Sequence, residues 1–223
     1  MTAPVRVLVV DDDPLVRAAL AMVLGGAEGL VLVGEATDGD EVAAAVSATA
    51  PDVVLMDIRM PRTDGLTATE ELRSRPGAPE VIVLTTFDAD ASVLRALRAG
   101  ASGFLLKDTP PAAIVAAVHR VVAGEPMLSP TVTRQLMSHV ASADAATGAD
   151  DGAAQALSLL ARLSEREREV ALAVGRGLSN AQIAAELYMS VATVKAHVSR
   201  LLTKLEAANR VQVALLVHDA GLL

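Results

Sequence analysis

Asp11, Asp12 and Asp13 follow the apolar run VRVLVV, Asp57 closes VVLMD, Thr85 closes VIVLT and Lys107 closes GFLLK. Each group stands at the carboxyl end of a short apolar segment. Carboxylates brought together repel one another unless a hard cation binds among them, and Mg²⁺ prefers oxygen ligands and phosphate. A lysine beside such a cluster can neutralise charge on a transferring phosphoryl group while one carboxylate attacks it as a nucleophile. Magnesium-assisted phosphoryl chemistry is therefore what this set could perform. Taken singly, Asp11 or Asp13 reads as a helix cap, Thr85 as a strand-end residue and Lys107 as a surface charge. The coincidence at four segment ends favours the chemical reading, with Asp13 kept as the cap.

The cluster forms only if the segments are parallel strands of one sheet. VRVLVV (5–10), LVLVG (30–34), VVLMD (53–57), VIVLT (81–85) and GFLLK (103–107) are continuously apolar rather than alternating, as strands covered on both faces are, and each is separated by about one helix of sequence. Gly25 and Gly26, Gly100, and Pro110 with Pro111 mark helix edges. This βα repeat predicts an α/β fold, a doubly wound five-stranded parallel sheet with its chemistry beyond the carboxyl ends of the strands.

The DD pair, MDIRMP around Asp57, LTTF after the fourth strand and LLKD after the fifth resemble bacterial response-regulator receivers of flavodoxin-like fold, over residues 5–123. The resemblance implies that Asp57 is the phosphoacceptor. It also implies that Asp12 is a direct Mg²⁺ ligand, Asp11 a water-mediated one and the Arg59 backbone carbonyl a third protein ligand, and that Thr85 and Lys107 contact the phosphoryl group. The implied donor is a phosphohistidine on a cognate histidine kinase. Thr85 would turn toward the new anion and Phe104 would fill the vacated space as the switch aromatic; plain core is the other reading of Phe104. Arg59 and Phe87, two residues beyond Asp57 and Thr85, would control water access.

After a fifth helix ending near Gly124, Ser129 and Pro130 open one short helix through Leu136, and ASADAATGADDGAAQ then reads as a flexible linker or a loosely held helix extension. The expected boundaries are a receiver over 1–124, a linker over 125–158 and a second domain over 159–223. In the last of these, Ser164 with Glu167 spells a capping box, Ser179 and Ser190 open two further helices, and Asn209 opens a fourth. Val191, Val194, Val198, Leu201 and Leu205 make one apolar stripe at 100° per residue. Ala196, Ser199 and Thr203 lie opposite it, with Lys195 and Arg200 on the flanks. Small residues let a helix enter a major groove closely, and flanking cations can meet phosphates or guanine edges.

LSEREREV, GLSNAQIAAEL, MSVATVKAHVSRLLTKL and NRVQVALLV resemble the LuxR-type helix-turn-helix of the NarL/FixJ class of response regulators. The resemblance implies binding of double-stranded DNA in the major groove, with Thr193, Lys195, Ala196, Ser199, Arg200 and Lys204 as candidate contacts. His197 lies nearer the apolar stripe and reads as packing. The last helix, with Val211, Ala214, Leu215, Val217 and Leu222, either forms a homodimer contact on phosphorylation or simply closes the core.

Composition narrows the alternatives. The chain of 223 residues has no cysteine and four histidines without metal-ligand spacing, so a metal must sit on oxygen. Its formal charge of -8 is uneven: residues 1–128 hold 10 Lys and Arg against 18 Asp and Glu, whereas residues 160–223 hold 8 against 6. An acidic front and a slightly basic back suit different partners. No apolar run approaches a membrane span, so a soluble, cytoplasmic chain with no membrane partner is expected. The functional expectation is a transcription regulator switched by phosphorylation, not an enzyme beyond slow autodephosphorylation. The alternative is a phosphorylation-independent DNA binder whose receiver is a protein-interaction platform. A phosphohydrolase is disfavoured because DDDPL does not supply the nucleophile motif of dehalogenase-type phosphatases.

Overall fold

Runs rich in valine, isoleucine and leucine pair as strands when both faces are covered, and that is how the first half of the chain is built. The computed structural model describes residues 3–75, 77–86, 95–125, 127–128 and 149–222. The chain divides into two compact units, Met1–Thr133 and Arg134–Leu223.

In the first unit, β1 (Val5–Val10), α1 (Pro14–Gly25), β2 (Leu30–Ala36), α2 (Val42–Thr49), β3 (Val53–Asp57), α3 (Gly65–Arg73), β4 (Glu80–Thr85), β5 (Gly103–Leu106) and α4 (Pro111–Val122) follow in order, with residues 95–98 also helical. The strand order is β2-β1-β3-β4-β5, all parallel. A sixth strand, β6 (Met127–Leu128), joins the edge through Gly103↔Met127 and Phe104↔Leu128. Two residues are too short to show a burial period, so the sequence reading stops at five strands.

The sheet order reverses at β1, which opens a crevice between the ends of β1 and β3. Val7, Val9, Val53, Leu55, Ile82, Leu84 and Leu105 pack on Leu20 and Leu24 of α1 and Ile114, Val118 and Val121 of α4. Their alternates Leu8, Val10, Val54, Met56, Val83 and Phe104 are also fully buried. A completely buried side chain of this size stabilises by about 1.5–3 kcal/mol, so the sheet is a rigid platform for whatever stands at its edge.

The second unit contains α5 (Ala149–Leu160), α6 (Glu165–Gly175), α7 (Asn180–Glu186), α8 (Val191–Lys204) and α9 (Arg210–Asp219). Ser164 with Glu167 and Ser179 with Gln182 form complete capping boxes, and Ser190 and Asn209 cap the next two helices through Thr193 N and Gln212 N. The core joins Leu160, Val170, Val174, Ile183, Val194, Leu201, Leu205, Val213 and Val217. The α5 helix takes in residues 149–155 of the stretch expected as linker or loose helix extension, and it is held by buried Ala156 and Leu160. Its alanines conceal the burial signal in the sequence. The short helix expected from Ser129 through Leu136 lies outside the described residues. No helix among the described residues is long and apolar enough to cross a membrane.

Candidate functional site

The sheet register brings the chemical groups together. Val10 pairs with Met56, Asp57 with Leu84, and Thr85 with Leu106, so the residues that end or follow β1, β3, β4 and β5 share one edge. Carboxylate oxygens of Asp11, Asp12 and Asp57 all lie within 4.8 Å of one another. Lys107 bridges two of them, its Nζ 2.7 Å from Asp11 Oδ2 and 3.1 Å from Asp57 Oδ1. Asp11 and Asp57 are buried and Asp12 is exposed, which leaves the cluster one open side.

Burial pushes the Asp57 carboxyl above its ordinary value; Lys107 pulls it down, and Asp11 adds to the rise. For Lys107, burial alone would lower the ammonium, but its bonds to Asp11 and Asp57 outweigh that and hold it above the usual lysine value. Asp11 Oδ2 meets Lys107 as an ion pair yet has no well-directed hydrogen bond, a buried anionic oxygen with coordination capacity left over. Three carboxylates, one of them so placed, fit a hard divalent cation such as Mg²⁺.

Neighbouring groups fix this arrangement. Asp13 caps α1 by accepting from Leu15 N at 2.8 Å, and its own amide donates to Asp11 Oδ1 at 3.0 Å. Arg17 reaches back from α1 and donates to the carbonyls of Asp11 at 2.7 Å and Asp12 at 3.2 Å, while Glu35 holds its Nε at 3.3 Å. A Cβ on Gly65 would stand 1.8 Å from the Asp57 carbonyl oxygen, so only glycine lets the start of α3 approach the end of β3 this closely. Buried Asp38 accepts the amides of Arg62 at 2.9 Å and Thr63 at 2.8 Å and so pins the loop after Asp57. Burial raises the Asp38 carboxyl, but these amide bonds and the Arg62 charge prevail and bring it below its ordinary value.

The sequence reading names none of Arg17, Asp38 and Gly65. Asp38-Gly39 and Asp64-Gly65 carried a turn signal, whereas a single arginine on a helix reads as a solvated charge.

Thr85 is buried at the end of β4, and Lys107 N donates to its carbonyl at 2.7 Å. Phe104 pairs with Val83 and is fully buried. In parallel register paired residues share a face, so Phe104 stands two residues behind Thr85 on the same face. Arg59 is exposed and lines, with Asp12, Met60, Asp64, Leu66 and Arg95, an open cleft of about 620 Å³. Phe87 lies outside the described residues.

On α8, Val194 and Leu201 are buried, as is Leu205 just beyond it, and Val198 is half-buried; Val191, expected in the same stripe, is 43% exposed because the first turn stands clear of the core. Thr193, Lys195, Ala196, Ser199 and Arg200 are all exposed. Lys204 is differently placed. Its Nζ donates to buried Glu167 at 2.7 Å, so its charge is largely satisfied within the domain. His197 is partly buried, in keeping with packing. On α9, Val213 and Val217 enter the core, while Val211, Ala214 and Leu215 are only partly covered.

Residues 7–119 match the family described as the response regulator receiver domain, and residues 161–217 match the bacterial regulatory proteins of the LuxR family. The chain belongs to the NarL/FixJ class of response regulators. This response regulator is 37% identical to the transcriptional regulatory protein LnrK of Bacillus subtilis, over 95% of each chain. It is 32% identical to the nitrate/nitrite response regulator NarL of Escherichia coli, over 97% of this chain and 96% of that one. The crystal structure of the response regulator ChrA, from a heme-sensing two-component system, is similar over 100% of both chains at 36% identity and a TM-score of 0.53. The response regulator thus couples a receiver to a LuxR-type DNA-binding domain, with transcription regulation rather than metabolic catalysis as its output.

Proposed function

We propose that this response regulator is a cytoplasmic transcription regulator whose DNA binding is switched by Mg²⁺-dependent phosphorylation of Asp57 from a partner histidine kinase, through dimerisation. The observation that carries the reading is Lys107 Nζ set between Asp11 and Asp57 at the open end of the sheet, with Asp12 alongside. An Asp57 carboxylate oxygen attacks the phosphorus of the kinase phosphohistidine, an O–P bond forms, the P–N bond breaks, and the imidazole leaves. Asp11, Asp12, Asp57 and the Arg59 carbonyl are the groups to hold Mg²⁺, which supplies positive charge for the phosphoryl oxygens. Lys107 supplies the second positive charge from the protein, and Thr85 binds a phosphoryl oxygen.

The new dianion at the sheet edge then biases the surface behind it. Thr85 moves toward the phosphoryl group and Phe104, on the same face, takes up the space. In the dimer, α8 enters the major groove of double-stranded DNA with Ala196 and Ser199 closest and Thr193, Lys195 and Arg200 at its sides. Lys204 contributes mainly to the fold.

Incubation with acetyl phosphate and Mg²⁺, followed by separation on a phosphate-affinity gel, tests the acceptor assignment. The parent protein should shift and Asp57→Asn should not, while both melt at similar temperatures. A shifted band that persists in Asp57→Asn would remove Asp57 from its role and leave the interaction-platform alternative in its place.

A further inference from the structure

The turn between α7 and α8 carries a side chain for which the domain itself has no use. Tyr188 is 97% exposed and has a φ of 54°, in the left-handed region that favours glycine. Glycine there would remove both the backbone strain and the exposed ring, and strained non-glycine residues cluster where a function holds them. The surroundings point to a partner surface. Val191, Ala192 and Thr193 are all exposed, so the start of α8, three residues on in the chain, also faces solvent. Ser190 Oγ and Thr193 Oγ1 are 2.8 Å apart on the same turn. The nearby carboxylate of Glu186 is matched by Arg176 at 2.5 Å and so presents little net charge to an incoming anion.

We propose that Tyr188 is a DNA-contacting residue whose phenol hydroxyl donates to a backbone phosphate at the lip of the groove that α8 enters. The inference rests on the DNA-binding reading of α8. Phosphate contacts of this kind from tyrosine hydroxyls fix the orientation of a protein on the duplex without reading sequence. Tyr188 therefore sets affinity and docking angle, and Lys195 and Arg200 act from that frame.

The sequence provides its own probe, because Tyr188 is the only tyrosine in a chain without tryptophan. The emission of the full-length protein reports this one position, and a mixed-sequence duplex at low salt is a sufficient ligand because the contact is to phosphate. With duplex bound, quenching of that emission by acrylamide should fall several-fold. Tyr188→Phe, which keeps the turn and the ring, should weaken binding about tenfold, the effect of losing a hydrogen bond to a charged group. It should do so with no change in salt slope, since no cation is removed. Anisotropy of the labelled duplex measures binding independently of the tyrosine signal. Duplex binding with the phenol still fully open to acrylamide, or with Tyr188→Phe equal to the parent, would overturn the proposal and leave the DNA-binding reading intact. Protection of the ring on self-association without DNA would also overturn it, in favour of a second copy of the chain as occupant. Absence of any duplex binding would sink both.

Discussion

Glu167 is a carboxylate almost closed off from water, and its Oε2 accepts from Lys204 Nζ and from both the amide and the hydroxyl of Ser164. Lys204 first, and then the Ser164 amide and hydroxyl, hold its carboxyl down at about 2, against an ordinary value of 4.5. A carboxyl lowered by folding adds stability that is complete above the unfolded value and is lost as the pH falls through the folded one. The melting temperature of the parent should therefore decline more steeply between about pH 4.5 and pH 2 than that of Glu167→Gln, in a series of thermal scans.

Lys107→Ala makes the complementary test at the sheet edge. It leaves the buried Asp11 and Asp57 facing each other without a cation, which should cost about 3 kcal/mol in urea unfolding. Added Mg²⁺ should stabilise this variant more than the parent. The sequence shows Asp11, Asp57 and Lys107 through their positions after apolar runs. It does not show that Lys204 pairs with Glu167, because the alignment of a lysine on α8 with a glutamate on α6 is a matter of tertiary packing.

At the scale of elements, the strand ends decide the chemistry and the sequence shows them well. The runs at 5–10 and 53–57 coincide with β1 and β3, and the expected ends of β4 and β5 fall on or next to the observed ones. Those runs are legible because strands buried on both faces admit almost nothing polar until the site begins. The α5 helix and β6 are less legible, one because small residues bury little surface, the other because two residues carry no pattern.

The start of α3 is the element on which the site most depends. Gly65→Ala would drive a methyl into the Asp57 carbonyl, so it should lose about 1–3 kcal/mol and slow phosphorylation by acetyl phosphate as the end of β3 shifts. Gly25→Ala, at the end of α1 with nothing within 4 Å of its added carbon, is the control and should be neutral or slightly stabilising. Equal phosphorylation rates in the two variants would mean that α3 does not position the acceptor.

For the whole molecule, charge and function divide along the same line. The acidic excess belongs to the first unit, which holds the carboxylate cluster, and a slight basic excess is confined to residues 160–223 of the second, where α8 exposes Lys195 and Arg200. That division was visible in the sequence, and so was the pairing of a receiver with a helix-turn-helix. The proposed coupling between them was not, since the association of copies leaves no pattern within one chain.

The most direct test is a DNA-binding titration on genomic fragments at fixed salt, with and without acetyl phosphate and Mg²⁺, run beside sedimentation for the parent and Asp57→Asn. Salt is held constant because phosphate contacts dominate affinity. Tighter binding together with a shift from monomer to dimer, in the parent only, is the expected result. Equal affinity in both states of the parent would contradict the switch and make the receiver a platform for another protein.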